Sequence, residues 1–368
     1  VFPGAIMLTS DAVQAQADRA IVAFYNVENL FDTRRDTSIF DKEWTPDGNY
    51  AWDSWRYTRK LRRVAWVITS WEPQTGQVPA VIGLCEVENY QVLEDLIAQP
   101  ALRPSAYSII HHDSPDRRGI DVAALYRKDR FRLLFAQTHR VLIYSEEGYR
   151  KYTRDILVIH GLMDGEPIHI LINHWPSRSG GIRRSQGFRL AAAHKVAALI
   201  DSIRCLNSEA RIIVMGDLND NPEDESVRYL TESHKVRRTP HDRVDRSYGC
   251  PVNTLNNDPL INPFERLFER GWGTLAHGVQ WQLYDQLLVS GNLLNASKGW
   301  RIERPGILAL NKLRVSNGPN RGSPWRTFAY GSYTGGYSDH FPVYLILKHK
   351  KPDSLVKPLA PGNPGKDQ

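Results

Sequence analysis

The sequence predicts an α/β sandwich in one large domain: two packed sheets, mainly antiparallel, with helices outside. Three observations lead there. Apolar, β-branched runs recur from residue 21 to residue 348. Several face each other across tight turns, as in "DILVIHGLMDGEPIHILINH", the mark of antiparallel pairing. Segments with helical spacing are interspersed among them, and no internal repeat or interior linker divides the chain.

Taken in order, "RAIVAFYNVENLFD" opens with a buried strand from Ile21 to Tyr25 that ends at Asn26. In "WRYTRKLRRVAWVITSW", Leu61, Val64, Ala65, Ile68 and Trp71 fall at helical spacing with basic residues between them. "PAVIGLCEVEN" is a strand running into Glu86, and "YQVLEDLIAQP" is a short helix. "SAYSIIHH" and "IDVAALYRKDRFRLLFAQ" alternate like antiparallel strands joined at a turn. Two further strands flank Asp164-Gly165, a strong helix covers "SQGFRLAAAHKVAALIDSIRCL", and "RIIVMGD", "QLYDQLLVS" and "HFPVYLILK" complete the strands. The intervals 232–260 and 296–337, rich in Gly, Asn, Ser and Arg, are expected as surface loops.

The 368 residues are 41% hydrophobic and 24% charged, enough for a sizeable core in an ordinary globular protein. A formal charge of +6 suits polyanionic partners without requiring one. Nothing is long and apolar enough to span a bilayer, so no stable membrane insertion is expected. Cys85, Cys205 and Cys250 have neither metal spacing nor the pattern of a disulfide framework, and the first two read as buried small hydrophobes. Residues 1–20 look like the trailing end of a signal peptide, with Ala15-Gln16-Ala17 as a cleavage site, so export to a periplasmic or extracellular space is expected. The folded domain is expected over 21–348, followed by a disordered tail at 349–368.

The chemistry-bearing residues sit where apolar runs stop. Asn26 with Glu28, Glu86, Asn173 with His174, Asp217 with Asn219, Asp285, and Asp339 with His340 each lie at or near such an end. Any one of them is unremarkable, because buried strands must end in something polar. Six together, if the sheets face each other, converge on one rim. Hard oxygen ligands without cysteine favour Mg²⁺ or Mn²⁺, with Ca²⁺ also compatible, and point to Glu86 assisted by Glu28 or Asp339. A His paired with an Asp makes a general base or an orienting pair.

In order, "NVENL", "CEVEN", "RRGIDVAALYR", "NHWPSR", "GDLND", "YDQLLVS" and "YSDHFPV" resemble the motifs of the endonuclease/exonuclease/phosphatase superfamily. The resemblance runs from about residue 21 to 347. It implies a deoxyribonuclease I-like, four-layer α/β sandwich and a divalent-metal-dependent phosphoester hydrolase. By the same resemblance, Asn26 and Asn219 contact phosphate, and Glu86, with Glu28 and Asp339, binds metal. Asp217 activates or orients water, and Asp285 holds His340, which aligns or deprotonates it. His174 stabilises the transition state or protonates the leaving oxygen.

By the same resemblance Arg118, with Arg117 adjacent, matches an Arg that touches phosphate. Arg178, Arg183, Arg184 and Arg189 read either as a phosphate clamp, with Arg178 favoured, or as a solvated loop and helix start. "TRRDT" and "TRKLRR" read as exposed faces, His111, His112, His160 and His169 as ordinary sheet or surface residues, and Trp175 as packing. The positive charge and the His at 174 favour nucleic acid as substrate, cleaved by a monomer with no protein partner specified. A phosphatase or a sphingomyelinase-like phosphodiesterase is the alternative. For the latter, "SPWRTFAYGSYTGGY" is a candidate hairpin, although such a loop equally covers an active site. A non-catalytic binding module is disfavoured, because Glu86, Asp217 and His340 are all present.

Overall fold

A computed structural model describes residues 18–232, 258–278, 280–294 and 298–350. Eleven strands form two sheets. They are β1 (Arg19–Leu30), β2 (Val81–Val87), β3 (Tyr107–His111), β4 (Asp121–Arg127), β5 (Phe131–His139) and β6 (Ile156–Met163). After these come β7 (Glu166–His174), β8 (Ile212–Asp217), β9 (Asp285–Val289), β10 (Gly299–Ile307) and β11 (Val343–Lys350). The first sheet has the order β10-β11-β1-β2-β4-β3 and the second β9-β8-β7-β6-β5. Among the described residues only β1/β2 and β7/β8 pair in parallel, each across a helical crossover. Those crossovers are α1 (Ser54–Thr69) and α3 (Ile182–Leu206), joined by the shorter α2 (Tyr90–Ile97) and α4 (Glu225–Thr231).

Alternation along the strands sorts the side chains into three layers. Val22, Phe24, Ile170, Ile172, Ile213 and Met215 fill the space between the sheets. Ile21, Ala23 and Tyr25 face outward onto Leu61, Val64 and Ile68 of α1 and Leu93 of α2. Leu171, Ile212 and Val214 face Ala192, Ala193 and Val196 of α3. This is the expected four-layer sandwich. The sheets come close together at Gly83, where an added Cβ would lie 2.9 Å from Met215 Cε and 3.2 Å from Ile172 Cγ2.

The turn at Asp164-Gly165 forms as expected, with φ of 46° and 91° at its two residues, the left-handed pair that favours a two-residue hairpin. Four expectations are corrected. The segment 121–139 is not a simple hairpin: β4 belongs to the first sheet and β5 to the second, so the turn between them crosses the sandwich. The expected loop 296–337 contains β10, an edge strand paired to β11. The described fold reaches beyond 21–348 at both ends, since β1 begins at Arg19 and His349 packs edge-on against Trp300 at 5.0 Å. Cys85 is buried, but Cys205 is only half-buried and is disulfide-bonded. Most of the segment 1–20 expected as a signal-peptide remnant, most of the expected loop 232–260 and most of the expected tail 349–368 lie outside the described residues. Among the described residues no helix is long and apolar enough to cross a membrane.

Candidate active site

Strand register builds the site. Asp217 at the end of β8 is level with His174 at the end of parallel β7 and with Asp285 at the start of antiparallel β9. Three neighbouring strands therefore present His174, Asp217 and Asp285 in a row. β1 and β2 deliver Asn26 and Glu86 from the other sheet, and the segment entering β11 supplies Asp339 and His340. Each of these strands contributes the end that lies at this rim: a C-terminus where it runs toward the site, an N-terminus where it runs away.

The centre is the Asp217 carboxylate. Its Oδ2 accepts from Asn26 Nδ2 at 3.0 Å, with His174 Nε2 at 3.7 Å and His340 Nε2 at 3.8 Å. Its Oδ1 accepts the Asn219 N–H at 3.0 Å. His340 Nδ1 lies 2.6 Å from Asp285 Oδ2, which turns Nε2 toward Asp217. Ser338 braces the pair, donating from Oγ to Asn26 O at 2.7 Å and accepting the His340 N–H at 3.0 Å. Glu86 accepts from Asn26 Nδ2 at 3.3 Å and from the Asn29 N–H at 3.0 Å, and lies 3.9 Å from His174 Nε2.

The backbone is strained where it serves these groups. Glu28, Asn29, Glu86 and Asn219 all have positive φ, between 51° and 62°. Non-glycine residues rarely adopt such angles, and a cluster of them marks a place where side-chain direction has taken precedence over backbone comfort. Pairing of β1 with β2 shifts between Asn26 and Leu30, and pairing of β2 with β4 shifts between Cys85 and Val87. These bulges re-aim Glu28 and Glu86. Gly216 is required beside them, because a Cβ there would lie 2.3 Å from the carbonyl oxygen of Asn173.

Burial and crowding set the protonation states. Burial pushes the Asp217 carboxyl up to about 7; His340 opposes the rise and Asp285 adds to it. For His340, burial disfavours the charged ring, but Asp285 and Asp217 outweigh it and hold the pKa well above the usual imidazole range. Burial drives His174 well below that range, reinforced by Arg154, Arg118 and His340. The site thus pairs a charged imidazole with a neutral one, facing the same carboxylate oxygen.

Of the three predicted metal carboxylates, Glu86 has no cation against it, and its side chain keeps 15% exposure. Its free oxygen lone pairs suit a hard divalent ion, and carboxylate crowding at Asp217 and Asp285 is what such an ion relieves. Asp217, Asp285 and His340 also form a group with ligand atoms within 4.8 Å of one another. Glu28 and Asp339 are differently engaged. Glu28 accepts the Thr327 N–H at 2.6 Å and lies 3.7 Å from the ammonium of Lys60, while Asp339 pairs with Arg326 at 2.7 Å.

The Arg118 side chain is half-exposed at the rim; Asp116 Oδ1 accepts its backbone N–H at 2.9 Å and lies 3.5 Å from its Nε. Arg178 is turned away from an open phosphate role. Its guanidinium donates to Asn219 O at 2.8 Å, pairs with Asp220 at 2.7 Å and Asp224 at 2.5 Å, and stacks over Tyr284. It braces the Asn219 loop. Trp175 is buried as expected, and Asn173 hydrogen-bonds only inward, to Leu171 O, Met215 O and Trp175 Nε1.

Two functional neighbours escaped the sequence reading. Arg154, buried, donates to His174 O and Trp175 O and pairs with Asp116 at 3.0 Å, fixing the end of β7. Lys60 stands in the "TRKLRR" run read as exposed, yet is 1% exposed and donates to Thr327 Oγ1 and Tyr337 O. The one signal for it was position: it adjoins the buried Leu61 on the sheet-facing side of α1.

The chain belongs to the Endonuclease/Exonuclease/phosphatase family, which it matches over residues 21–349. Members are phosphoester hydrolases, and this chain has their fold. The Caenorhabditis elegans TDP2 structure is similar at a TM-score of 0.51 and 15% identity, covering 91% of this chain and 99% of that one. The human nocturnin catalytic domain with a bound sulfate anion gives 0.52 and 15%, covering 90% and 95%. A Bacteroides thetaiotaomicron mannosyl-6-phosphatase gives 0.51 and 16%, covering 89% and 99%. At these identities the similarity establishes the fold alone. No curated protein matches the chain by sequence.

Proposed function

We propose that the chain is a divalent-metal-dependent phosphoester hydrolase that cleaves phosphodiesters of nucleic acid by in-line attack of water. The observation that carries the reading is the convergence of Asn26, His174 and His340 on one oxygen of Asp217, with Asp285 behind His340. Asp217 and His340 flank the place where a water would be held and take its proton. Asp285 keeps Nδ1 of His340 engaged, so that Nε2 faces the reacting centre. Neutral His174 is a hydrogen-bond donor toward a phosphoryl oxygen without adding charge, and Asn26 and Asn219 are amides suited to the same task. Glu86 is the principal metal ligand, and a Mg²⁺ or Mn²⁺ ion bound there supplies neutralisation of phosphoryl charge. Arg118 is the exposed cation placed to grip a backbone phosphate.

Nucleic acid is favoured over a small monoester by the +6 charge and the basic residues around the rim. The 323–337 hairpin does not favour a lipid. Phe328 and Tyr333 pack onto Trp44, Tyr50 and Trp55, and the freely exposed aromatic is the single Tyr330 at the tip. The test is hydrolysis of plasmid DNA, single-stranded DNA, RNA, sphingomyelin and a phosphomonoester panel with Mg²⁺ or Mn²⁺, with and without EDTA. Metal-dependent cleavage of nucleic acid supports the reading; turnover confined to lipid or monoester overturns the substrate, and inactivity throughout overturns the chemistry.

A further inference from the structure

The outer face of α1 carries a second candidate site that the catalytic reading does not use. A cavity of about 520 Å³ lies between α1 and the segment leading to the Ser338-Asp339-His340 run. Arg59, Arg62, Arg63 and Lys312 line it together with Trp55 and Trp66, and no carboxylate is among the lining residues. Its size falls in the roughly 300–1,000 Å³ range of small-molecule sites.

Its cations are matched with rings instead of acids. Lys312 Nζ lies 4.2 Å from the Trp66 centroid, Arg63 lies 4.4 Å from Trp325 and 4.7 Å from Tyr337, and Arg59 lies 5.2 Å from Trp55. Ring contacts orient a guanidinium but leave its charge uncompensated and its N–H groups free. Arg59 Nε and Arg63 Nη1 are shielded from solvent and have no acceptor among the described residues. Burial and the neighbouring Arg59 lower the pKa of Arg63, the signature of cations packed without counter-charge. A ligand that satisfies all of this carries anionic oxygens for the two guanidinium groups and a flat face for the interleaved rings.

We infer that this cavity binds a nucleoside phosphate, most simply one nucleotide of a single strand whose scissile bond lies in the catalytic site. Tyr337 makes the two sites adjacent: its ring lines the cavity, and its carbonyl accepts from Lys60, which lies 3.7 Å from Glu28. Phosphate between cations with bases stacked on aromatic rings is how single strands are held without sequence preference. The inference rests on the nucleic-acid reading only for the source of the ligand; the same chemistry serves a free nucleotide.

The experiment measures binding to the full chain in EDTA, which separates it from turnover. The probes are a fluorescent dodecathymidylate, AMP, and inorganic polyphosphate as an anion without bases, with tryptophan quenching followed in parallel. Arg59→Gln/Arg63→Gln is expected to weaken dodecathymidylate binding about tenfold or more. Arg62→Gln/Lys312→Gln, altering two exposed side chains, keeps the test valid if the first variant folds poorly, and is expected to weaken binding in the same direction. Trp55→Ala is expected to weaken the oligonucleotide more than polyphosphate. Hydrolysis of bis(p-nitrophenyl) phosphate with Mg²⁺ is expected to stay unchanged in all three. Saturable AMP binding lost in the variants assigns the site to free nucleotide, and loss for the oligonucleotide alone assigns it to a strand; either supports the inference. Unchanged affinity in both double variants overturns it, as does polyphosphate binding as tightly as the oligonucleotide with no effect of Trp55→Ala. A wild-type protein that cleaves no nucleic acid, yet binds nucleotide through these residues, overturns the proposed substrate and leaves this site standing.

Discussion

Asp285 and His340 are joined at 2.6 Å, and their partnership is the most specific residue-level feature of the site. Asp285→Asn keeps the shape but no longer holds His340 in the charged, oriented form. Turnover is expected to fall by about 10²–10⁴, with substrate binding little changed, as kcat and KM measured separately will show. The buried Lys60–Glu28 pair supports the rim in a different way. Burial, with Asp339, pushes Glu28 up to about 7, and Lys60 opposes that rise. Lys60→Met leaves Glu28 without its counter-charge and is expected to cost about 3–5 kcal/mol in urea denaturation, and adding Glu28→Gln is expected to restore much of the loss. At this scale the sequence was legible for residue type and for which residues converge. Asn26, Glu86, His174, Asp217, Asp285 and His340 do meet, because each ends or begins an apolar run. Lys60 reads as exposed because a cation in a polar stretch looks solvated, and Arg178 reads as a phosphate contact because it follows His174. In both cases only tertiary contact reveals the carboxylates behind them, Glu28 for Lys60 and Asp220 and Asp224 for Arg178.

The elements follow periodicity wherever they are buried on both faces or on one clear stripe. α1 buries Leu61, Val64, Ala65 and Ile68, the positions its spacing marks. β10 was hidden because it is an edge strand, with its middle exposed and Arg, Glu and Pro among its residues. The crossing of β4 to β5 between sheets was equally invisible, since a tight turn reads the same whether its strands pair or part. At β8 the fold and the site depend on the same glycine. Gly216→Ala forces a Cβ against the carbonyl of Asn173, a backbone atom that β7 holds in place. We expect a loss of about 1–3 kcal/mol in thermal or chemical unfolding, together with reduced turnover, because the strand that shifts carries Asp217. A variant that keeps full stability would show that β7 and β8 have more slack than the register implies.

For the whole molecule, two sheets with opposed rims bring together residues as far apart in sequence as Asn26 and His340. That convergence follows from topology, and the order of motifs along the chain anticipated it without supplying distances. The sandwich also carries a pH sensitivity remote from the site. His169 stacks on His160 at 4.2 Å, and burial followed by the neighbouring ring pushes its pKa down from 6.5 to about 4. The folded state therefore prefers the neutral ring. That preference contributes fully above pH 6.5 and is lost as pH falls from there through about 4. In a side chain only partly enclosed it amounts to about 1–2 kcal/mol, so Tm of the wild type is expected to fall more steeply over this window than that of His169→Gln.

The central claim is that Asp217, held between Asn26, His174 and His340, is where a phosphoester is hydrolysed. It is tested most directly by the metal-dependent rate of nucleic-acid cleavage by Asp217→Asn, measured beside its Tm. A loss of about 10³-fold or more in kcat/KM, with Tm within about 5 °C of the wild type, is the predicted result. A correctly folded Asp217→Asn protein that cleaves within about tenfold of the wild-type rate would contradict the account.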